Sequence, residues 1–249
     1  MKIAIIIAMP EEFRAVAANF GTITEMPLGI FRAGRYRTGD LEYLLVQSGM
    51  GLRNAATATE ALIKEFRPEL LIATGFCGAV TPGLLAGDIL VAEHVIIADE
   101  SGCEEIPVHL SGIGQTFTAR QKAEGKRVMA GTFISTASIT SKAYLTKLLS
   151  AVPPNTVVDM ESGAIAIIAA EHAIPMLVLR AVSDTADEEL GFSLNEFCDE
   201  DLRCIRPYKV LLTILRKPHI MPQLVRLAFS SRKAAQSITT TLSRLFADL

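Results

Sequence analysis

Four carboxylates in this sequence stand where chemistry could use them. Asp159 and Glu161 flank Met160 in VVDMESGAIA (157–166), two positions apart in an apolar run that contains no basic residue. Glu12 comes just after the apolar run IAIIIAM and Pro10, and Asp184 closes MLVLRAVSD. Burying unpaired carboxylates is expensive, so each needs an explanation. In extended backbone, side chains two apart share a face, and Asp159 and Glu161 could then point into one crevice. If Glu161 lies just past a strand, it sits instead at the start of the helix SGAIAIIAAEHA and caps it. Asp184 is an N-cap or turn residue before a solvated SDTADEE. Alternatively it is a desolvated acid at a strand end, held neutral and able to donate a proton near neutral pH. Glu12, taken alone, is an ordinary first-turn acid at a helix N-terminus.

Two glycine clusters follow apolar runs directly, SGMG at 48–51 and TGFCG at 74–78. Each is either a tight turn or a place where backbone amides approach an anion or a sugar. Neither matches GxGxxG or GxxxxGK[ST], which disfavours a dinucleotide or nucleoside triphosphate site. The four cysteines (77, 103, 198 and 204) form no CxxC pair, and no histidine cluster has ligand spacing. No metal site is expected, and a reducing compartment fits. A net charge of -3 leaves no footprint for nucleic acid. The N-terminal apolar run is too short to span a membrane and lacks a cleavage signal, so a cytoplasmic protein is expected.

The elements that must position these acids alternate along the chain. Residues 2–9, with three consecutive isoleucines, predict a strand buried on both faces. PEEFRAVAANF predicts a helix with proline at its start. EYLLVQSG, ELLIATG, DILVAEHVII, RVMAGTFIST, TVVDM and MLVLRAVSD predict strands. LRNAATATEALIKEF, SKAYLTKLLSAV and SGAIAIIAAEHA predict helices. This alternation argues for a mostly parallel sheet covered on both faces. In such sheets the ligand crevice lies outside the carboxyl ends of the strands, where the acids gather.

The 249-residue chain changes character at residue 206. From there, eight basic residues (Arg206, Lys209, Arg216, Lys217, Arg226, Arg232, Lys233 and Arg244) face a single acid, Asp248. Leu224, Leu227, Ala228, Ile238, Leu242 and Leu245 give an amphipathic helical pattern broken by Pro218 and Pro222. The segment is a helical pair closing the domain, an oligomer interface, or a cationic face that touches anionic membrane or an amphiphilic ligand.

MKIAIIIAMPEE, SGMG, TGFCGAV, GDILVAE, VVDMESGAIA and LRAVSDTAD occur in the order found in the purine nucleoside phosphorylase and uridine phosphorylase superfamily. Over about residues 1–200 the chain resembles that superfamily, and within it the methylthioadenosine/S-adenosylhomocysteine nucleosidase branch. The segment RPYKVLLTILRKPHIMPQLVRLAF is more similar to the hopanoid-associated phosphorylases. The resemblance implies a nucleoside phosphorylase-like single α/β domain, a central mixed sheet flanked by helices, over residues 1–205. A basic amphipathic helical extension would then cover 206–249.

The activity it implies is cleavage of the N-glycosidic bond of a purine (adenine) nucleoside by water or phosphate. Asp184 matches the general acid acting at N7, with Ser183 orienting it. Glu161 matches the carboxylate that holds the ribose hydroxyls and steadies an oxocarbenium-like transition state, its partners arriving with the substrate, and Met160 packs on the sugar. Glu12 matches the group that activates water, while Gly78 and Ile139 line the base pocket. Two departures bear on the base. TGFCG places Phe76 at the pocket, and STASIT places Ser138 where a stacking aromatic is expected, so Phe76 is the candidate replacement. Arg53 is either an anion holder or a solvated helix charge, and Asp159 has no assigned role. The rival readings are release of adenine from adenosylhopane and a non-catalytic nucleoside binder. No cofactor is implied, inorganic phosphate being the one possible co-substrate. A homodimer and peripheral membrane contact through the tail are further expectations.

Overall fold

The computed structural model describes residues 1–99, 101–149, 151–188, 196–198, 202 and 206–249. Glu189 of SDTADEE, Cys204 and the boundary expected at residue 205 lie outside them. The isoleucine run forms β1 (Lys2–Ile7), and its alternating side chains feed two cores. Ala4 and Ile6 pack on one face of the sheet, and Ile3, Ile5 and Ile7 on the other. The same parity splits β4 (Leu41–Gln47), with Leu44 and Val46 against Tyr43 and Leu45. A strand buried on both faces has no polar side, which explains why these runs are continuously apolar.

The sheet builds outward from β1 and β5 (Leu70–Ala79), which pair in parallel. On one side β1 pairs in parallel with β4, and an antiparallel hairpin of β2 (Thr24–Leu28) and β3 (Phe31–Thr38) completes that edge. On the other side β5 pairs in parallel with β10 (Met176–Asp184). Beyond β10 come β6 (Ile89–Asp99), β8 (Val128–Thr136) and β9 (Thr156–Asp159), with β7 (Gly102–Glu105) on β6. β10 meets β6 antiparallel, whereas β6–β8 and β8–β9 run parallel. The end of β5 then pairs antiparallel with β9, closing β5, β10, β6, β8 and β9 on themselves. The sheet is therefore mixed rather than mostly parallel.

Seven α-helices are described. The helices α2 (Leu52–Phe66) and α5 (Ser162–Glu171) pack on one face of the sheet. The opposite face carries α1 (Pro10–Ala17) and the second half of α7 (Met221–Phe246), whose Ala234, Ile238, Leu242 and Leu245 are fully buried. Two short helices, α3 (Gly112–Ala123) and α4 (Lys142–Leu148), follow β7 and β8, and α6 (Pro207–Arg216) precedes α7. The tail is thus divided in use. The end of α7 belongs to the core, while α6 and the start of α7 leave Tyr208, Leu211, Leu215, Val225 and Phe229 exposed.

Candidate active site

The strands β1, β5 and β10, running in parallel, deliver their carboxyl ends to one cavity of about 210 Å³. Glu12, Phe76, Gly78, Ile139, Met160, Glu161, Ser183 and Asp184 all line it. Sequence positions up to 172 apart are brought together because each sits one turn beyond, or at the tip of, a strand in the same layer.

Glu12 is set by its helix. In the first turn of α1, its Oε2 accepts the Met9 N–H at 2.8 Å, the reciprocal arm of a capping box. The other oxygen, Oε1, accepts the Phe76 N–H at 2.6 Å. The helix-start role and a place in the cavity therefore coincide, since the cap is what aims the carboxylate. Burial pushes its pKa up to about 7, Arg180 opposing and the neighbouring Glu161 charge adding to the rise. Such a group exchanges protons near neutral pH. Gly75, at φ +155°, leaves the space it needs, because a Cβ there would lie 2.7 Å from Glu12 Oε1.

Asp159 and Glu161 are not without a basic partner, contrary to the expectation from their segment. Arg180, in the middle of β10, reaches both. Its Nε lies 2.7 Å from Asp159 Oδ2 and its Nη2 lies 3.1 Å from Glu161 Oε2. The guanidinium is almost fully buried and also donates to the Phe76 carbonyl at 3.0 Å and to Ser162 Oγ at 3.1 Å. Burial works against its charge, yet Asp159, Glu161 and Glu12 together hold it more firmly protonated than a free arginine. Three acids around one cation leave the cluster net negative whenever more than one acid is ionised.

The capping role proposed for Glu161 belongs instead to Asp159. At the end of β9 its Oδ1 accepts the N–H groups of Glu161 and Ser162 at 3.3 and 3.2 Å and the Ser135 hydroxyl, while the Ser162 hydroxyl donates to Oδ2. Glu161 is free of that duty. Its Oε1 accepts the Gly51 N–H at 3.0 Å, which gives the SGMG turn its function here. Burial raises its pKa against the opposing pull of Arg180.

Asp184 is also paired, where the sequence suggested either a turn residue or a desolvated acid. Lys142, the first residue of α4, places Nζ 2.5 Å from Asp184 Oδ2, and both side chains are buried. Ser183 Oγ–H donates to Asp184 Oδ1 at 2.7 Å, so the orienting role expected of Ser183 has a geometric basis. Gly78 faces this carboxylate; a Cβ there would come within 2.7 Å of Oδ2.

Phe76 is the aromatic side chain among the described lining residues, and Ser138 sits exposed at the mouth. Met9, Met50 and Met160 add soft apolar surface, and Leu227 and Ser231 of α7 form one wall. Arg53 is exposed on α2 and does not line the cavity, as a solvated helix charge would be. Among the described residues no group of histidine, cysteine and acidic side chains could hold a metal ion. Sequence reasoning missed Arg180 and Lys142. The one available signal was a lone arginine inside the buried run MLVLRAVSD.

The sequence model of the Phosphorylase superfamily matches residues 2–216. The chain belongs to the Phosphorylase superfamily. Among superfamily members, the 5'-methylthioadenosine/S-adenosylhomocysteine nucleosidase of Actinobacillus succinogenes is 32% identical over 210 residues, 79% of this chain and 91% of that protein. The protein of the same name from Staphylococcus epidermidis is 32% identical over 218 residues, 80% of this chain and 92% of that protein. The superfamily fold extends to solved structures. Helicobacter pylori 5'-methylthioadenosine/S-adenosylhomocysteine nucleosidase superimposes with a TM-score of 0.77 at 21% identity, covering 100% of this chain and 99% of that one. Futalosine hydrolase of the same organism gives 0.77 at 19% identity, covering 100% and 98%.

Proposed function

We propose that this phosphorylase-superfamily protein is a nucleosidase that hydrolyses the N-glycosidic bond of an adenine nucleoside, as the names of its curated relatives suggest. The observation that carries the reading is the convergence of Glu12, Glu161 and Asp184 in one cavity, each with its carboxylate fixed by backbone or side-chain donors. Glu12, poised near neutrality, takes a proton from water as it attacks the anomeric carbon. Glu161 accepts from the ribose hydroxyls and, with the net negative cluster, stabilises the positive charge that develops on the sugar. Asp184 delivers a proton to the purine as the bond to N9 breaks. Phe76 supplies the stacking face, Ile139 and Gly78 bound the base, and Met160 packs on the ribose. Ser183 fixes the orientation of Asp184.

Water rather than phosphate is the nucleophile in this reading. The carboxylates beside the anomeric position would repel a phosphate dianion, and Lys142, the cation among the described lining residues, is engaged with Asp184. A non-catalytic binder would have no use for a buried, hydrogen-bonded proton donor. The roles are tested with Asp184→Asn. Turnover should fall about 10²–10⁴-fold with modest loss of nucleoside binding by calorimetry; unchanged turnover removes Asp184 as the acid.

We assign the exposed apolar face of α6 and the start of α7 to contact with a second copy in a homodimer, in a reducing cytoplasm where Cys77 and Cys103 stay as free thiols. Tyr208 (61%), Leu215 (70%) and Phe229 (66%) expose apolar surface of the kind that marks an interaction site. A second reading has the same face meet a membrane and present a nucleoside with a lipid-like 5' substituent, such as adenosylhopane. Its support is that Arg216, Lys217 and Arg226 border the face and Leu227 links it to the cavity. No helix among the described residues is long and apolar enough to cross a membrane. Light scattering should report a dimer that Leu215→Asp dissociates. Co-sedimentation with anionic vesicles, together with a monomer in solution, would favour the second reading.

A further inference from the structure

The acid step just described needs Asp184 to carry a proton, and the geometry puts that proton elsewhere. Asp184 Oδ2 receives Lys142 Nζ at 2.5 Å, and Oδ1 receives the Ser183 hydroxyl at 2.7 Å. With a cation on one oxygen and a donor on the other, the side chain is held as a carboxylate. Lys142 also donates to the carbonyls of Thr185 at 2.5 Å and Glu188 at 2.8 Å, so its three hydrogens have three named acceptors. The pair is buried, its side chains 7% and 9% exposed, and Gly78 closes on the same carboxylate oxygen. Helix geometry does not account for the lysine. As the first residue of α4 it lies at the end of a helix where the dipole disfavours a cation.

We propose that Lys142 and Asp184 act as one acid, with the Lys142 ammonium as the reservoir of the proton that Asp184 passes to the base. The inference rests on the nucleosidase reading. As the bond from the anomeric carbon to N9 breaks, its electron pair passes into the purine. The N7 lone pair takes a proton from Asp184, and Asp184 takes one from Lys142 Nζ. The pair ends as carboxylate and neutral amine, the purine leaves neutral with N7 protonated, and Glu12 holds the proton taken from water. Solvent later returns a proton to Lys142 and removes the one on Glu12. Lys142 touches Asp184 rather than the base, so it is a positioning residue that also stores the proton.

Two substrates and two variants test this. Adenosine needs its leaving group protonated, whereas 4-nitrophenyl β-ribofuranoside releases an anion that is stable without help. Lys142→Met removes the proton source. Lys142→Arg keeps the positive charge and hydrogen-bond donors but does not release its proton, since guanidinium stays charged in proteins. Both variants should lose about 10²–10⁴-fold in kcat/KM on adenosine, and about threefold or less on the nitrophenyl riboside. Retained nitrophenyl riboside hydrolysis also shows that the variants fold. Recovery of adenosine hydrolysis by Lys142→Arg would overturn the proposal, because holding Asp184 would then be enough. Equal losses on both substrates would overturn it as well, marking the lysine as structural. Wild-type protein that cleaves neither of these, nor methylthioadenosine or adenosylhomocysteine, would instead sink the nucleosidase reading itself.

Discussion

At the scale of single residues, the site is a set of carboxylates held in different electrostatic states. Burial lifts Glu12 from 4.5 to about 7, so it is ionised above that pH and protonated below it. A base must be ionised to accept a proton. The kcat/KM profile should therefore fall as pH drops below about 7, roughly tenfold per unit, and Glu12→Gln should abolish activity across the whole range. The same shift has a sign for stability. Between 4.5 and 7 the folded chain binds a proton that the unfolded chain has released, so Glu12 costs stability as pH rises through that window. Replacing it with glutamine should narrow the difference in Tm between pH 5 and pH 8; an unchanged difference would mean Glu12 titrates normally. Arg180 carries the opposite risk. Arg180→Leu leaves Asp159 and Glu161 buried without their cation, and urea unfolding at neutral pH should show a loss of about 3–5 kcal/mol. At the base, Phe76→Ala should raise KM about 5- to 150-fold if the ring stacks on the purine, the equivalent of about 1–3 kcal/mol. An unchanged KM would leave the missing aromatic at Ser138 without a replacement.

At the scale of elements, what could be read from the sequence depended on how local the cause was. Continuous apolar runs announced β1, β5 and β10, and alanine-rich periodicity announced α2, because burial on both faces and helical spacing are written in neighbouring residues. The hairpin of β2 and β3 was not anticipated. FRAGRYRT carries three arginines with little apolar alternation, and Pro27 lies in the edge strand β2, so both strands give a weak signal. Glu12, Glu161 and Asp184 were legible as strand-end acids within recurrent motifs. Arg180 and Lys142 were not, since Arg180 reaches Asp159 and Glu161 from another strand and Lys142 reaches Asp184 from 42 residues away. Asp184 itself lies beyond a register shift in the pairing of β10 with β5, between Val182 and Asp184, so strict alternation could not place its side chain. The helix α7 makes its contribution through its second half. Ile238→Ala should cost about 2–5 kcal/mol because that side chain is fully buried against the sheet. A surface-sized loss, measured by denaturant unfolding, would contradict the placement of α7 in the core.

At the scale of the whole molecule, a mixed sheet collects acids at the ends of β1, β9 and β10 on one side and leaves the cavity beside them negative. That field suits a substrate whose sugar becomes positive in the transition state and disfavours an anionic nucleophile. The chemistry can therefore be read from the products. Adenosine, methylthioadenosine and adenosylhomocysteine should each be incubated with the protein, with and without inorganic phosphate, and the base and sugar products resolved by chromatography and mass spectrometry. Release of free adenine and a reducing sugar from at least one of them, at a rate independent of phosphate, is the result expected. No release of base, or a sugar 1-phosphate formed only when phosphate is present, would contradict the account.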